Sequence, residues 1–228
     1  MAKNIKLPKL EKLKSLNLLS GKFKCLDIGA NNGQFYIAIK ELFPDVDVTS
    51  IEANPYCERR LKKHGMRYRI IGLSDKTGEL ELVTTEQKPS SKGASFYPEV
   101  TLDSRSDILK LKIPVEKLDN LYPDETFDLI KIDVQGAELD VINGGISSIS
   151  KCKYLLVEVA LKEYNHGAPF ALEVIKRLEE LNFYIEDLIE VHSSRAFHDV
   201  QVDLLFTKKE SHNFECLREF KEIIGLWK

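Results

Sequence analysis

One stretch limits the fold more than any other. The run Lys24-Cys25-Leu26-Asp27-Ile28 empties into Gly29-Ala30-Asn31-Asn32-Gly33, and helical periodicity follows at once over residues 34–43, stopping before Pro44. A strand, a glycine loop and a helix in immediate succession open a parallel sheet, because parallel strands need a helical crossover where antiparallel ones need only a hairpin. The rest of the chain keeps that rhythm. Strands are predicted over 46–51, 67–73, 128–132, 154–159, 183–189 and 200–207. Helices are predicted over 55–64, with Pro55 in a first-turn position and Gly65 past the end, and over 170–181. The expected fold class is therefore α/β: a Rossmann-like, doubly wound, mostly parallel sheet. The last two strands lie so close in sequence that one of them is expected to run antiparallel at the edge.

Three segments stand outside the alternation. Residues 5–20 carry lysines among Leu10, Leu13, Leu16 and Leu19, which predicts an amphipathic helix packed on the domain. Residues 79–117 hold Pro89, Ser90, Ser91, Gly93 and Pro98 between two extended pieces, and read as a strand, a mobile loop and a strand. A closing helix is expected over 211–228. The domain division that follows is 1–22 as an N-terminal helical extension, 23–210 as the main domain with 79–117 inserted, and 211–228 as a C-terminal helix.

Composition sets the class. The chain has 228 residues, 43% of them hydrophobic, and a net charge of -3, which lacks the basic footprint of a nucleic-acid binder. No apolar run approaches the roughly 18 residues that span a bilayer. The first 24 residues lack an apolar segment and cleavage site of the secretory type, so a cytoplasmic location is expected. Cys25, Cys57, Cys152 and Cys216 have no CxxC spacing and are expected to be reduced thiols. No metal site is expected.

Ligands of doubly wound sheets sit beyond the carboxyl ends of the strands, where strand order reverses. Asp27, Glu52 and Asp133 fall at or near such ends, and Asp75 follows the third strand. Gly29 and Gly33 allow a ligand close to the backbone. The spacing is neither the G-x-G-x-x-G of dinucleotide binders nor a P-loop. An acidic mouth repels a pyrophosphate and suits a cationic ligand such as S-adenosylmethionine (SAM), with its ammonium and sulfonium. Glu52 is placed for ribose hydroxyls, and Asp75 for an adenine amino group or for a plain turn. A second segment, Lys131-Ile132-Asp133-Val134-Gln135-Gly136-Ala137-Glu138, puts Lys131 and Asp133 on one strand face, with Glu138 in the first turn of the next helix.

These segments together resemble the FkbM family of SAM-dependent methyltransferases: Leu26 to Gly33, then Glu52-Ala53-Asn54-Pro55, Leu73-Ser74-Asp75, Lys131 to Glu138, and Leu156-Val157-Glu158-Val159. The resemblance covers roughly residues 23–207. It implies the class I methyltransferase fold, a seven-stranded sheet with the last strand antiparallel. It also implies SAM as cofactor and O-methylation of a sugar or natural-product hydroxyl. Two positions depart from the family pattern: Gln135 stands where glutamate is usual, and Ala53 where proline is common.

The cofactor-binding set so expected is Asp27, Gly29, Ala30, Asn31, Gly33, Glu52, Ala53, Asp75 and Asp133. An alcohol needs a base for its proton as the new bond forms. The catalytic candidates are Asp133, Glu158 and His166; His192 and His198, flanking a loop between the last strands, could also reach the crevice. The expected partner is a small-molecule or glycan acceptor, without nucleic acid, and the N-terminal helix is the candidate contact for a homodimer. Two other functions compete: a nicotinamide-dependent Rossmann oxidoreductase, which Glu52 would suit, and a SAM-binding module without catalysis, which Gln135 would suit.

Overall fold

A computed structural model describes residues 10–15, 19, 21–193 and 201–208. In chain order, the first elements are α1 (Glu11–Ser15), β1 (Lys24–Ile28), α2 (Gln34–Leu42), β2 (Asp47–Glu52), α3 (Glu58–Lys63) and β3 (Arg67–Ile70). Then come β4 (Gly72–Leu73), β5 (Gly78–Thr85), β6 (Ile108–Glu116), α4 (Leu118–Leu121), β7 (Leu129–Ile132), α5 (Glu138–Gly144) and α6 (Ile146–Lys151). The last are β8 (Tyr154–Ala160), α7 (Ala171–Glu180), β9 (Tyr184–His192) and β10 (Gln201–Thr207). The helix expected over 211–228, together with Leu16, His198 and Cys216, lies outside the described residues.

Seven strands form the main sheet in the order β3-β2-β1-β7-β8-β10-β9. The chain starts in the middle, lays β2 and β3 to one side, and returns to lay β7 and β8 on the other. The order therefore reverses between β1 and β7, where doubly wound sheets bind ligands. β10 is antiparallel to β8 and β9 alike. Among the described residues the reversed strand is thus the last in sequence but stands inboard, and the outermost strand on that side is β9. A hairpin-length connection from β9 permits this reversal, while the parallel strands need their crossover helices.

The strand expected over 67–73 is split. Residues 67–70 pair with β2, and Gly72 and Leu73 leave for a three-stranded sheet of order β4-β6-β5. A Cβ at Gly72 would lie 2.6 Å from the Phe96 ring and 2.8 Å from Val115, so only glycine lets the strand turn there. Apolar clusters cover both faces of the main sheet. Leu10, Leu13 and Leu19 are buried with Phe35, Ile39, Leu156 and Leu205, so these leucines pack on the domain; of the helix expected over 5–20, the described residues form helix only over Glu11–Ser15, and Leu19 lies in a bend. Cys25, Cys57 and Cys152 are buried free thiols. No helix among the described residues is long and apolar enough to cross a membrane.

Candidate active site

The turn after β1 is shaped by glycines. Gly29 (φ 80°) and Gly33 (φ 83°) take left-handed backbone, with Asn31 (φ 47°) between them. At Gly29 the requirement is double, because a Cβ there would stand 1.7 Å from the Asp133 carbonyl oxygen. The loop can therefore lie against the end of β7 only without a side chain. Gly29 and Ala30 amides donate to the Ile51 carbonyl at 2.9 and 3.0 Å, which ties the loop to β2 as well.

Glu52, at the end of β2, accepts from the Asn31 amide through Oε2 (2.6 Å) and from the Asn54 amide through Oε1 (2.7 Å). Each oxygen keeps a second lone pair for a ligand hydroxyl. Burial pushes this carboxyl up to about 7, against the two amide bonds that favour its charge. Asn54 also caps the short 3-10 turn Pro55–Cys57, accepting from the Tyr56 amide at 3.0 Å.

Beneath the glycine loop lies a buried charge cluster. Asp27 is fully buried, and Lys131 is its register partner on β7. Lys131 Nζ is 3.5 Å from Asp27 Oδ1, 3.0 Å from Asp133 Oδ2 and 3.1 Å from the Gly29 carbonyl. Burial works against the ammonium, but Asp133 and Asp27 outweigh it and raise its pKa. Burial raises Asp27 despite Lys131. Asp133 ends low: burial would raise it, and Lys131 with a hydrogen bond from Gln135 overcomes that.

Gln135 (φ 56°) turns the chain after β7. Its amide donates to Asp133 Oδ1 at 3.0 Å and to Glu158 Oε2 at 2.5 Å. The neutral amide at this position thus bridges two carboxylates that would otherwise repel. Glu138 accepts from the Gly136 amide at 3.1 Å and secures the start of α5. Burial pushes its carboxyl up to about 7.

These groups open on a cavity of about 300 Å³. The half nearer the glycine turn is lined by Gly29, Ala30, Asn31, Glu52, Ala53 and Asp133, and the far half by Glu158, Glu190, His192, Gln201 and Asp203. Part of the 79–117 insertion, including Gly93, Ser95 and Phe96, forms the roof. The loop expected to be mobile is tied down there. Side-chain amides of Asn54, Asn32 and Asn31 donate to the carbonyls of Pro89 (2.6 Å), Ser90 (3.1 Å) and Ser91 (3.2 Å). Ser95 Oγ donates to the Gln135 carbonyl at 2.5 Å.

The residues expected from sequence divide accordingly. Asp27 and Gly33 sit behind the cavity wall as supports, Asp27 through Lys131 and Gly33 as the residue before α2. Asp75 is exposed, outside the lining, with Ser74 Oγ donating to it at 3.2 Å. His166 also lies outside the lining. Its side chain is 46% exposed and pairs with Asp103 at 3.0 Å, and that bond, against burial, raises its pKa. Sequence reasoning left Glu190, Gln201 and Asp203 unnamed. Their signal was alternation: Gln201 and Asp203 share one face of β10, opposite Val202 and Leu204, in an otherwise apolar strand.

A model of the methyltransferase FkbM domain matches residues 27–185. The 2-O-methyltransferase NoeI of Sinorhizobium fredii is 26% identical over 158 residues, covering 62% of this chain and 65% of its own. Methyltransferase sdnD of Sordaria araneosa is 29% identical over 161 residues, covering 56% of this chain and 62% of its own. The match thus spans less than two thirds of either relative. In fold, the chain is similar to Sp1610 of Streptococcus pneumoniae, a proposed tRNA (m1A22) methyltransferase, with a TM-score of 0.50 and 11% identity over 97% of this chain and 82% of that one.

Proposed function

The chain belongs to the FkbM methyltransferase family, and on that premise we propose that it is a SAM-dependent O-methyltransferase acting on a hydroxyl of a sugar, glycan or natural-product small molecule. The observation that carries the reading is the cavity at the β1/β7 switch point, where Glu52 and the Gly29–Asn31 turn face a lining rich in carboxylates. That lining fits a donor that is cationic at two atoms. Glu52, tethered by two backbone amides, has lone pairs left for ribose hydroxyls, and Ala30 and Ala53 leave room beside it. Asp133, held charged by Lys131, faces the cavity where a cationic group would lie.

When bound, SAM supplies an electrophilic methyl on a sulfonium. The chain's part is to hold the acceptor hydroxyl in line with it and to keep water away, positioning that is worth about 7–11 kcal/mol at best. The proton acceptor we assign to the carboxylates at the cavity floor, Asp133 and Glu158. His166 would serve only if the 98–103 segment moved, since it now pairs with Asp103. Asp75 would reach adenine only from an exposed turn. Residues 23–210 form the catalytic unit in this reading, with 1–22 as an extension and 79–117 as the inserted roof.

The acceptor is small-molecule or glycan rather than nucleic acid, and the setting cytoplasmic. A second copy of the chain would have to dock on a face other than Leu10, Leu13 and Leu19, which are buried. The test is a thermal-shift comparison of SAM, S-adenosylhomocysteine and NADH, followed by labelled-methyl transfer to a panel of neutral glycosides. SAM and S-adenosylhomocysteine are expected to stabilise the chain. Stabilisation by NADH alone would return the protein to the oxidoreductases, and SAM binding without transfer to any glycoside would favour the module without catalysis.

A further inference from the structure

The far half of the cavity carries a feature that methyl transfer from SAM does not by itself require. Asp203 on β10 faces Glu158 on β8 and Glu190 on β9 in the strand register, so these carboxylates stand in one row across the sheet. Asp133 extends the row one step past the last registered pair of β7 and β8. Gln201, two residues before Asp203 and on its face, lies opposite His192. His192 Nε2 is 3.0 Å from Asp203 Oδ2 and 3.7 Å from Glu158 Oε1. One ligand-capable atom from each of Glu158, His192 and Asp203 lies within 4.8 Å of the other two.

Glu158 makes this more than an ion pair. Its side chain is 8% exposed. Oε2 is occupied by the amides of Gln135 (2.5 Å) and Gln201 (2.8 Å). Oε1 lies 3.7 Å from His192 Nε2, beyond hydrogen-bond length but close enough for both to hold one ligand.

We propose that Glu158, His192 and Asp203 form a binding site for a first-row divalent cation such as Mn²⁺ or Zn²⁺. One imidazole nitrogen and two carboxylates suit such an ion, and the amides of Gln135 and Gln201 hold one ligand in orientation. Binding replaces the His192–Asp203 hydrogen bond. Nε2 presents its lone pair to the ion, and the ring proton sits on Nδ1. All three ligands stand on strands of one sheet, which fixes their spacing, and coordination positions toward the cavity stay open. In the methyltransferase reading, on which this last step rests, those positions take adjacent hydroxyls of the acceptor and make them easier to deprotonate. Sequence spacing hid the site because its residues come from three separate strands.

The test is a titration of the chelator-treated chain with MnCl₂, and separately with ZnCl₂, followed by calorimetry and, for Mn²⁺, by electron paramagnetic resonance. One ion per chain and a higher melting temperature are expected. Asp203→Asn and His192→Gln should each weaken binding about tenfold or more, while Asp103→Asn, in the exposed His166 pair, leaves it unchanged. Should a variant fail to fold, pulsed resonance on the Mn²⁺-loaded parent decides, with one coordinated imidazole nitrogen expected. Absence of saturable binding, binding that survives both variants, or bound Mn²⁺ without a nitrogen ligand overturns the site and leaves His192 as the ion-pair partner of Asp203. The titration involves neither SAM nor acceptor, so its failure and that of the methyltransferase reading are separate events.

Discussion

The two halves of the cavity handle buried charge in opposite ways. In the donor half, Asp27 and Asp133 share one buried ammonium, Lys131, which also grips the Gly29 carbonyl. In the far half, Glu158, Asp203 and Glu190 stand in a row, with the imidazole of His192 and neutral amides between them. One half sets an ammonium among its carboxylates; the other sets an imidazole and side-chain amides in that place. The difference teaches that the ammonium of Lys131, which also holds the Gly29 carbonyl, ties charge to the backbone of the glycine turn, while the far half holds its carboxylates by side chains alone. Substitutions should separate the halves sharply.

The largest effect is expected from Lys131→Met. It leaves Asp27 and Asp133 buried without their shared partner, a loss of about 3–5 kcal/mol. Urea denaturation at pH 8 would show it, and the loss should shrink at pH 5, where the carboxylates can take up protons. An equal loss at both values would mean that packing against Phe35, whose ring centroid is 5.7 Å from Nζ, matters more than charge.

Next comes a pair of glycines with similar backbone angles. Gly29 (φ 80°) would set a Cβ into the Asp133 carbonyl, whereas Gly167 (φ 70°), on the segment that carries His166, has nothing within 4 Å of its Cβ position. Gly29→Ala should cost about 3 kcal/mol or more and abolish SAM binding, because the loop must part from β7. Gly167→Ala should cost only the left-handed backbone penalty, about 1–2 kcal/mol. Chemical denaturation and SAM calorimetry on both variants check the contrast, and equal costs would remove the close approach as the reason for Gly29.

That contrast also shows what a sequence exposes. The donor half was legible because its residues are adjacent in the chain: a strand end, a glycine turn and a helix start lie within Asp27 to Gln34, and Lys131, Asp133 and Glu138 are spaced within one strand and turn. The sheet was legible for the same local reason, through alternation of strand and helix. The far half depends on register between strands that are distant in sequence, so Glu158, His192 and Asp203 meet only after β10 inserts between β8 and β9. Nor does the chain announce that strand 67–73 divides between two sheets, since Gly72 leaves for partners, Val115 on β6 and the Phe96 ring beside it, that are distant in sequence. His166 and Asp75 were plausible by residue type, but type says nothing about which way a loop faces.

A smaller effect tests Glu52 through pH. Its folded value, about 7, lies above that of an ordinary glutamate, so the protonated form is favoured in the folded chain. Stability from that preference is present at low pH and is lost as pH rises from about 4.3 through the folded value. The ionised carboxylate, which accepts ribose hydroxyls most strongly, is populated over the same rise. SAM affinity should therefore strengthen between pH 6 and pH 8, by at most about tenfold per unit. Glu52→Gln should bind more weakly and lose that dependence. A parent affinity flat across the range would detach Glu52 from the ribose.

The smallest effect, and the one of opposite sign, belongs to Glu158→Gln. Removing the charge of Lys131 strips a partner from its neighbours; removing that of Glu158 relieves a repulsion. Burial, then Asp133 and Asp203, raise the Glu158 carboxyl, so its ionised form costs the folded chain stability increasingly as pH climbs above the ordinary glutamate range. Glutamine keeps an oxygen for the Gln135 and Gln201 amides and carries no charge. In metal-free buffer the variant should match the parent near pH 5 and exceed it by up to about 1 kcal/mol near pH 8, an amount typical of one buried polar adjustment. Melting curves across that range read the difference directly. A variant less stable than the parent at high pH would mean that the carboxylate row already holds its compensating charge, and the contrast between the two halves would then be one of geometry rather than of charge.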